Sequence, residues 1–202
     1  MFALIDNQQI TKFFSGNRGV TLGDVQYPKS IFSLWSEAER NAIGIYEVTV
    51  DTTNRKDEQW YINTNVSYGV ESNKAVGSYG TATAKAHADT LYTAQDETDG
   101  KGTEGEVKSR GLKYNLIQNI KRQAAGILQD TDWYVVRKAD AGTAVPSAIT
   151  THRAAVRTKA ASMETAITNA ADTPALETLY TYTEQEDGSI TRPLGELPRL
   201  EA

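Results

Sequence analysis

Arg153 and Arg157 stand four residues apart in a stretch with helical spacing, so two guanidinium groups project from one face towards a neighbouring helix. The segment before them, LQDTDWYVVRKADAG, supplies Asp130, Asp132, Trp133 and Arg137. The chemistry available to this set is ion pairing, hydrogen bonding to carbonyls and stacking, which points to assembly and away from catalysis. The remaining reactive residues do not form a catalytic constellation. His87 and His152 are 65 positions apart and neither sits in a metal or triad motif. No GxSxG, Walker, HExxH or EF-hand pattern occurs, and GSYGTATAK lacks the ending and the strand-to-helix context of a phosphate loop. Asp96, Glu97, Asp99, Glu104 and Glu106 read as a solvated linker, because their order is not that of a calcium loop. No pair of carboxylates is placed for glycoside cleavage. The expectation is a protein that is not an enzyme and that carries no cofactor and no metal.

The elements that must position the arginines are helices. Thr131 is suited to cap a helix, Asp132 puts a negative charge in its first turn, and Gly142 with Pro146 ends it before a second helix begins near Ser147. This reads as a tight helical hairpin with Trp133 as its core plug, a surface hot spot being the alternative, and with Arg137, Arg153 and Arg157 as braces, two of them pairing with Asp130 or Asp132 and the third left for a partner's carboxylate or carbonyl. Leu112, Leu116, Ile120, Ala124 and Ile127 form the stripe of a preceding helix of about 22 residues. Ile149, Val156, Ala160, Met163 and Ile167 form the stripe of the following one, with Arg153 in an otherwise apolar slot. Pro174 restarts a short helix bearing Leu176, Leu179 and Tyr180.

The rest of the chain reads as β structure, which makes the fold class α+β. Residues 1–50 form a small β-rich unit: a hairpin around Asp6-Asn7, a helix from Glu37 boxed by Ser36 and Glu39, and a returning strand over Ile45–Val50. Ile31, Phe32, Trp35 and Ile43 are its expected core. Residues 51–93 read as an exposed β-hairpin region, with a strand over Gln59–Tyr68 facing one over Ala75–Ala84. Residues 94–105 (AQDETDGKGTEG) read as a flexible linker, 106–183 as the helical hairpin domain, and 184–202 as an extended C-terminal arm. Trp60 and Tyr61 on the middle hairpin, and Leu194, Leu197 and Leu200 spaced three apart along the arm, are the candidate partner-binding residues. Packing within a strand is the alternative for the first pair.

The helical segment resembles tail-fibre assembly proteins of tailed bacteriophages, through Thr131-Asp132-Trp133, then Pro146, then His152-Arg153-Ala154-Ala155-Val156-Arg157. His152 and Val156 stand where that pattern carries tyrosine and leucine. MFALIDNQQITKFF and TLGDVQYPKSIFSLWSEAERNAIGIYEV resemble small tail-associated proteins of marine phages, and WYINTN and SYGTATAKA extend the likeness into the middle of the chain. The resemblance implies a chaperone-like protein that helps tail fibres fold, assemble or attach. A resident structural component of the virion tail or fibre is the alternative. Implied partners are tail-fibre or other tail proteins, or a second copy of the chain. The implied setting is the host bacterial cytoplasm during assembly, or the virion tail if the protein is retained there.

Composition narrows the partners. Twenty-one basic against 26 acidic residues leave a net charge of −5, which gives no general attraction for nucleic acid. With no cysteine, disulfides and thiol chemistry are excluded, and a reducing compartment is compatible. MFALI is too short and lacks the basic start of a signal peptide, and no later window is apolar for long enough to span a membrane. Aromatic residues make up only 8% of the chain and mean hydropathy is −0.49, so the core is expected to be lean.

Overall fold

The computed structural model describes residues 1–200. It has the expected α+β architecture and divides by contacts into a unit spanning Met1–Thr83 and a second from Ala84 onward.

The first unit contains, in order, β1 (Phe2–Asp6), β2 (Gln9–Phe14), β3 (Val20–Leu22), β4 (Val25–Tyr27), α1 (Ile31–Leu34), α2 (Glu37–Ala42), β5 (Ile45–Asp51), β6 (Tyr61–Ile62), β7 (Val66–Glu71) and β8 (Lys74–Tyr79). Asn7 and Gln8 both take positive φ, the backbone of a tight two-residue hairpin turn, so β1 and β2 pair as the sequence suggests, with the turn one residue later. Ser36 and Glu39 form the full capping box at the start of α2. The five-stranded sheet runs β2-β1-β5-β8-β7 and is antiparallel except where β5 meets β8. Beneath it Ile31 and Ile45 are fully buried with Phe14, Val20 and Phe32, and the half-buried Trp35 and Ile43 pack against that cluster.

The middle hairpin differs from its sequence reading in register and in surroundings. Its turn is Ser72-Asn73, again with two positive φ values, so the paired strands are β7 and β8 and not Gln59–Tyr68 with Ala75–Ala84. A two-stranded ribbon is marginal in water, and β8 resolves this by lying parallel beside β5. The two end strands of the sheet also approach each other: the rings of Phe13 and Tyr68 meet edge-on at 5.0 Å, and the Gln8 amide donates to Asn73 at 2.7 Å. Gly77 is required opposite Tyr68, since a Cβ there falls 2.8 Å from the tyrosine ring.

Trp60 and Tyr61 are corrected outright. The amides of both donate to the Asp57 carbonyl, so Trp60 lies in a turn that leads into the two-residue strand β6, and consecutive side chains are buried where strict alternation was expected. Trp60 is 3% exposed, Tyr61 is likewise buried, and Ile62 is the exposed residue. Neither aromatic is exposed as a partner-binding residue.

The chain passes through β9 (Thr83–Ala84) into the second unit: β10 (Thr90–Leu91), α3 (Ala94–Thr98), β11 (Val107–Ser109), α4 (Leu112–Gln129), α5 (Asp132–Ala141), α6 (Ser147–Asn169), α7 (Thr173–Tyr180), β12 (Thr183–Glu184) and β13 (Ile190–Thr191). Leu116, Ile120 and Ala124 of α4 are buried, as are Ile149, Val156, Ala160, Met163 and Ile167 of α6. The two helices run antiparallel, since Lys113 donates to the Thr168 carbonyl near one end and Arg153 to the Leu128 carbonyl near the other. The helix is 18 residues long, shorter than expected, because β11 occupies the chain before Leu112. Asp172 caps α7 by accepting from the Ala175 amide at 2.8 Å.

Residues 94–105 are not a linker. Thr93 and Asp96 form a reciprocal capping box on α3, and the segment is held between β10 and β11, which pair antiparallel. The contact boundary accordingly falls near residue 83 and not in 94–105. Of the acidic residues read as a solvated run only Asp96 is buried, and three of the carboxylates accept within this loop: Lys108 donates to Asp96 at 2.9 Å, Lys101 to Asp99 at 2.9 Å, and the Glu104 amide to Glu97 at 3.3 Å.

The Lys108 ammonium, followed by the Thr93 backbone amide, holds the Asp96 carboxyl down at about 2. An unfolded aspartate titrates near 4, so this contribution is present above about pH 4 and is lost as the pH falls towards 2. In thermal melts across that window, the advantage of the natural protein over Asp96→Asn is expected to shrink steadily as the pH falls. A constant difference contradicts the assignment.

Candidate functional site: a braced helical corner

Between α4 and α5 lie only Asp130 and Thr131, so the chain must turn within two residues while the last carbonyls of α4 lack helical partners. Arg153, one turn and a half into α6, supplies the missing donors. One of its terminal nitrogens donates to the Leu128 carbonyl at 2.7 Å and to the Thr131 hydroxyl at 2.7 Å. The other donates to the Asp132 carboxylate at 2.8 Å. A single guanidinium thus joins the end of α4, the turn residue and the start of α5, and places positive charge at a helix C-terminus, where the macrodipole favours it. Arg153 is only 8% exposed. Its position in the apolar stripe of α6 is the sequence signal that marked it.

Thr131 does not act as the cap expected. It is buried and its hydroxyl donates to the Leu128 carbonyl at 3.0 Å while accepting from Arg153, so its side chain satisfies no amide of α5. Gly142 does end α5 in the left-handed conformation, at φ 67°. Arg157 is exposed and forms no ion pair among the described residues. Arg137 is half-buried and lies against aromatic rings, 4.6 Å from the centre of Trp133 and 5.4 Å from that of Tyr134. One arginine braces the corner, where carboxylate pairing of two was expected.

Trp133 is the largest correction at the site. It is not a core plug: 52% of it is exposed, its ring stacks on Tyr134 at 3.9 Å, and α5 as a whole buries no residue. Val136, one turn on, is 65% exposed, and Val135 is exposed as well. The helical pattern was read correctly but its partner was not, since α6 packs along α4 and leaves α5 uncovered on that side. No sequence signal on α5 itself distinguishes an inward from an outward tryptophan.

The leucines of the arm divide. Leu194 is 2% exposed and its amide donates to the Leu179 carbonyl at 3.0 Å, so this part of the arm is folded onto the chain's own helical unit. Leu197 is half-buried and Leu200 exposed. His152 is buried in α6, and among the described residues no group of three histidine, aspartate or glutamate side chains could hold a metal ion. No helix among them is long and apolar enough to cross a membrane.

Comparison with protein-family models, curated proteins and solved structures finds no match to this chain.

The corner separates two residues that the sequence had grouped. Arg153→Ala leaves the Leu128 carbonyl and Thr131 hydroxyl without their charged donor and is expected to cost about 1.5–3 kcal/mol. Trp133→Ala removes an exposed stack and is expected to cost only about 0.5–1 kcal/mol. Denaturant unfolding checks both, and the reverse ranking would restore Trp133 as the plug.

Proposed function

We propose that this chain is a non-enzymatic bacteriophage tail protein that acts in the folding, assembly or attachment of tail fibres, in the host cytoplasm, through contacts made by the outward face of α5. The observation that carries the contact surface is the exposure of Trp133 and Val136 one helical turn apart on a helix that buries nothing of its own. Ten residues of helix have little stability alone in water, and covering this face by a partner supplies the burial that the chain itself does not. An aromatic and an aliphatic side chain at i and i+3 suit insertion into a hydrophobic groove, and a rigid tryptophan is the residue type that most often dominates such contacts. The tail setting rests on the resemblance of the TDW, proline and His-Arg-Ala-Ala-Val-Arg elements to tail-fibre assembly proteins.

The alternative of a resident virion component relied on incomplete parts awaiting neighbours. The middle hairpin is completed by β5, and Leu194 is already packed within its own unit, so neither feature now favours it.

Co-expression with the tail-fibre protein tests the proposal. The natural chain is expected to raise the yield of trimeric fibre, and the Trp133→Ala, Val136→Ala double variant to lose most of that gain while keeping its helical circular dichroism. Equal trimer yield with and without the chain would remove the assembly role. Fixed-copy presence in purified particles, read by mass spectrometry, would assign the chain to the virion instead.

A further inference from the structure

A second site lies between α4 and the C-terminal segment and shares no residue with the α5 face. It is a groove of about 880 Å³ lined by Arg122, Gln123, Gly126 and Ile127 on one wall and by Tyr182, Glu196, Leu197 and Arg199 on the other. Ligand-binding clefts are commonly of this size. The charge along it is unbalanced. Among the described residues Glu196 is the only lining carboxylate, and it is occupied by Arg192 at 2.8 and 3.0 Å and by the Tyr182 phenol, which donates to it at 2.7 Å. Arg122 donates to the neutral side chain of Asn119, and Arg199 has no ion pair among the described residues. Among the described residues, therefore, two guanidinium groups line the groove on opposite walls without a carboxylate of their own.

Gly126 adds an independent observation. It sits inside α4, where glycine weakens a helix relative to alanine, yet a Cβ at this position would meet nothing within 4 Å. The chain's own packing does not require a glycine here. Its effect is to lower one wall of the groove so that another backbone can approach closely, with the Gln123 carboxamide beside it to donate to and accept from a peptide unit.

We infer that this groove binds an extended peptide segment of a partner protein, one carrying carboxylates on either side of an aliphatic residue. Arg122 and Arg199 take the carboxylates, Ile127 and Leu197 the aliphatic side chain, and Gly126 with Gln123 the backbone. Nucleic acid and phosphate-bearing surfaces fit less well, because the lining includes the apolar Ile127 and Leu197 and the carboxylate of Glu196.

Fluorescence anisotropy with the full chain tests this, using a labelled short peptide of alternating glutamate and leucine and its lysine-for-glutamate counterpart. The acidic peptide is expected to bind and the basic one not. Arg122→Ala and Arg199→Ala are each expected to weaken binding about threefold to fivefold. Gly126→Ala is the decisive variant: its midpoint of thermal unfolding is expected to rise by about 4 °C while binding weakens roughly tenfold. Equal binding of the two peptides, or undiminished binding to Gly126→Ala, would overturn the proposal. So would displacement of the acidic peptide by inorganic phosphate at equal concentration, which indicates an anion site only. A dimer in sedimentation that Gly126→Ala abolishes would give the groove to a second copy, and would overturn it too.

Discussion

The arrangement of the helical unit depends on how one buried guanidinium is satisfied. Two helices separated by two residues leave carbonyls without donors at the end of the first, and burying such groups unpaired costs more than the bond itself returns. Arg153 meets that demand with three hydrogen bonds, to Leu128, Thr131 and Asp132. Lysine could not span three acceptors that lie on two helices and the turn between them, because its donors radiate from one point and not from a planar fork. The geometry of the corner, and with it the direction in which α5 leaves α4, is set by this fork.

That direction decides which face of α5 is exposed. α6 is committed to α4 along a stripe of small and aliphatic side chains, so α5 projects with Trp133 and Val136 facing away from the chain's own core. Under the proposed function, a rigid brace at the base of this uncovered helix would present a contact face at low entropic cost, since the helix is oriented before a partner arrives. Tyr134 and Arg137 stack around Trp133 and restrict its ring, which adds to that preorganisation. The proposed groove beside Gly126 follows a different logic, in which a helix gives up intrinsic stability and leaves open space that its own packing does not fill.

The sequence was most legible where local rules act alone. The Ser36 and Glu39 capping box, the Gly142 stop and the apolar stripes of α4 and α6 all follow from neighbours within a few residues, and the structure shows each of them. Legibility failed where a residue's surroundings are set by distant parts of the chain. Trp133 has the spacing of a core residue, but which helix covers α5 depends on tertiary packing. Trp60 and Tyr61 were placed on a strand because they lie among alternating residues, whereas the Asp57 turn brings both inward. Residues 94–105 have the composition of a linker and yet fold, because Thr93, Asp96 and Lys108 satisfy one another's polar groups without an apolar core. Arg153 was legible for a reason that generalises: a charge in an apolar stripe must have a partner, even when the partner cannot be named.

The most direct test of the brace is a double-mutant cycle between Arg153→Met and Thr131→Val, with each variant's unfolding free energy measured in denaturant. If the guanidinium holds the corner through the buried hydroxyl, the two substitutions are coupled by about 1 kcal/mol or more, and the double variant loses clearly less than the sum of the singles. Additive losses would contradict the account, because Arg153 and Thr131 would then stabilise the chain independently and the direction of α5 would need another cause.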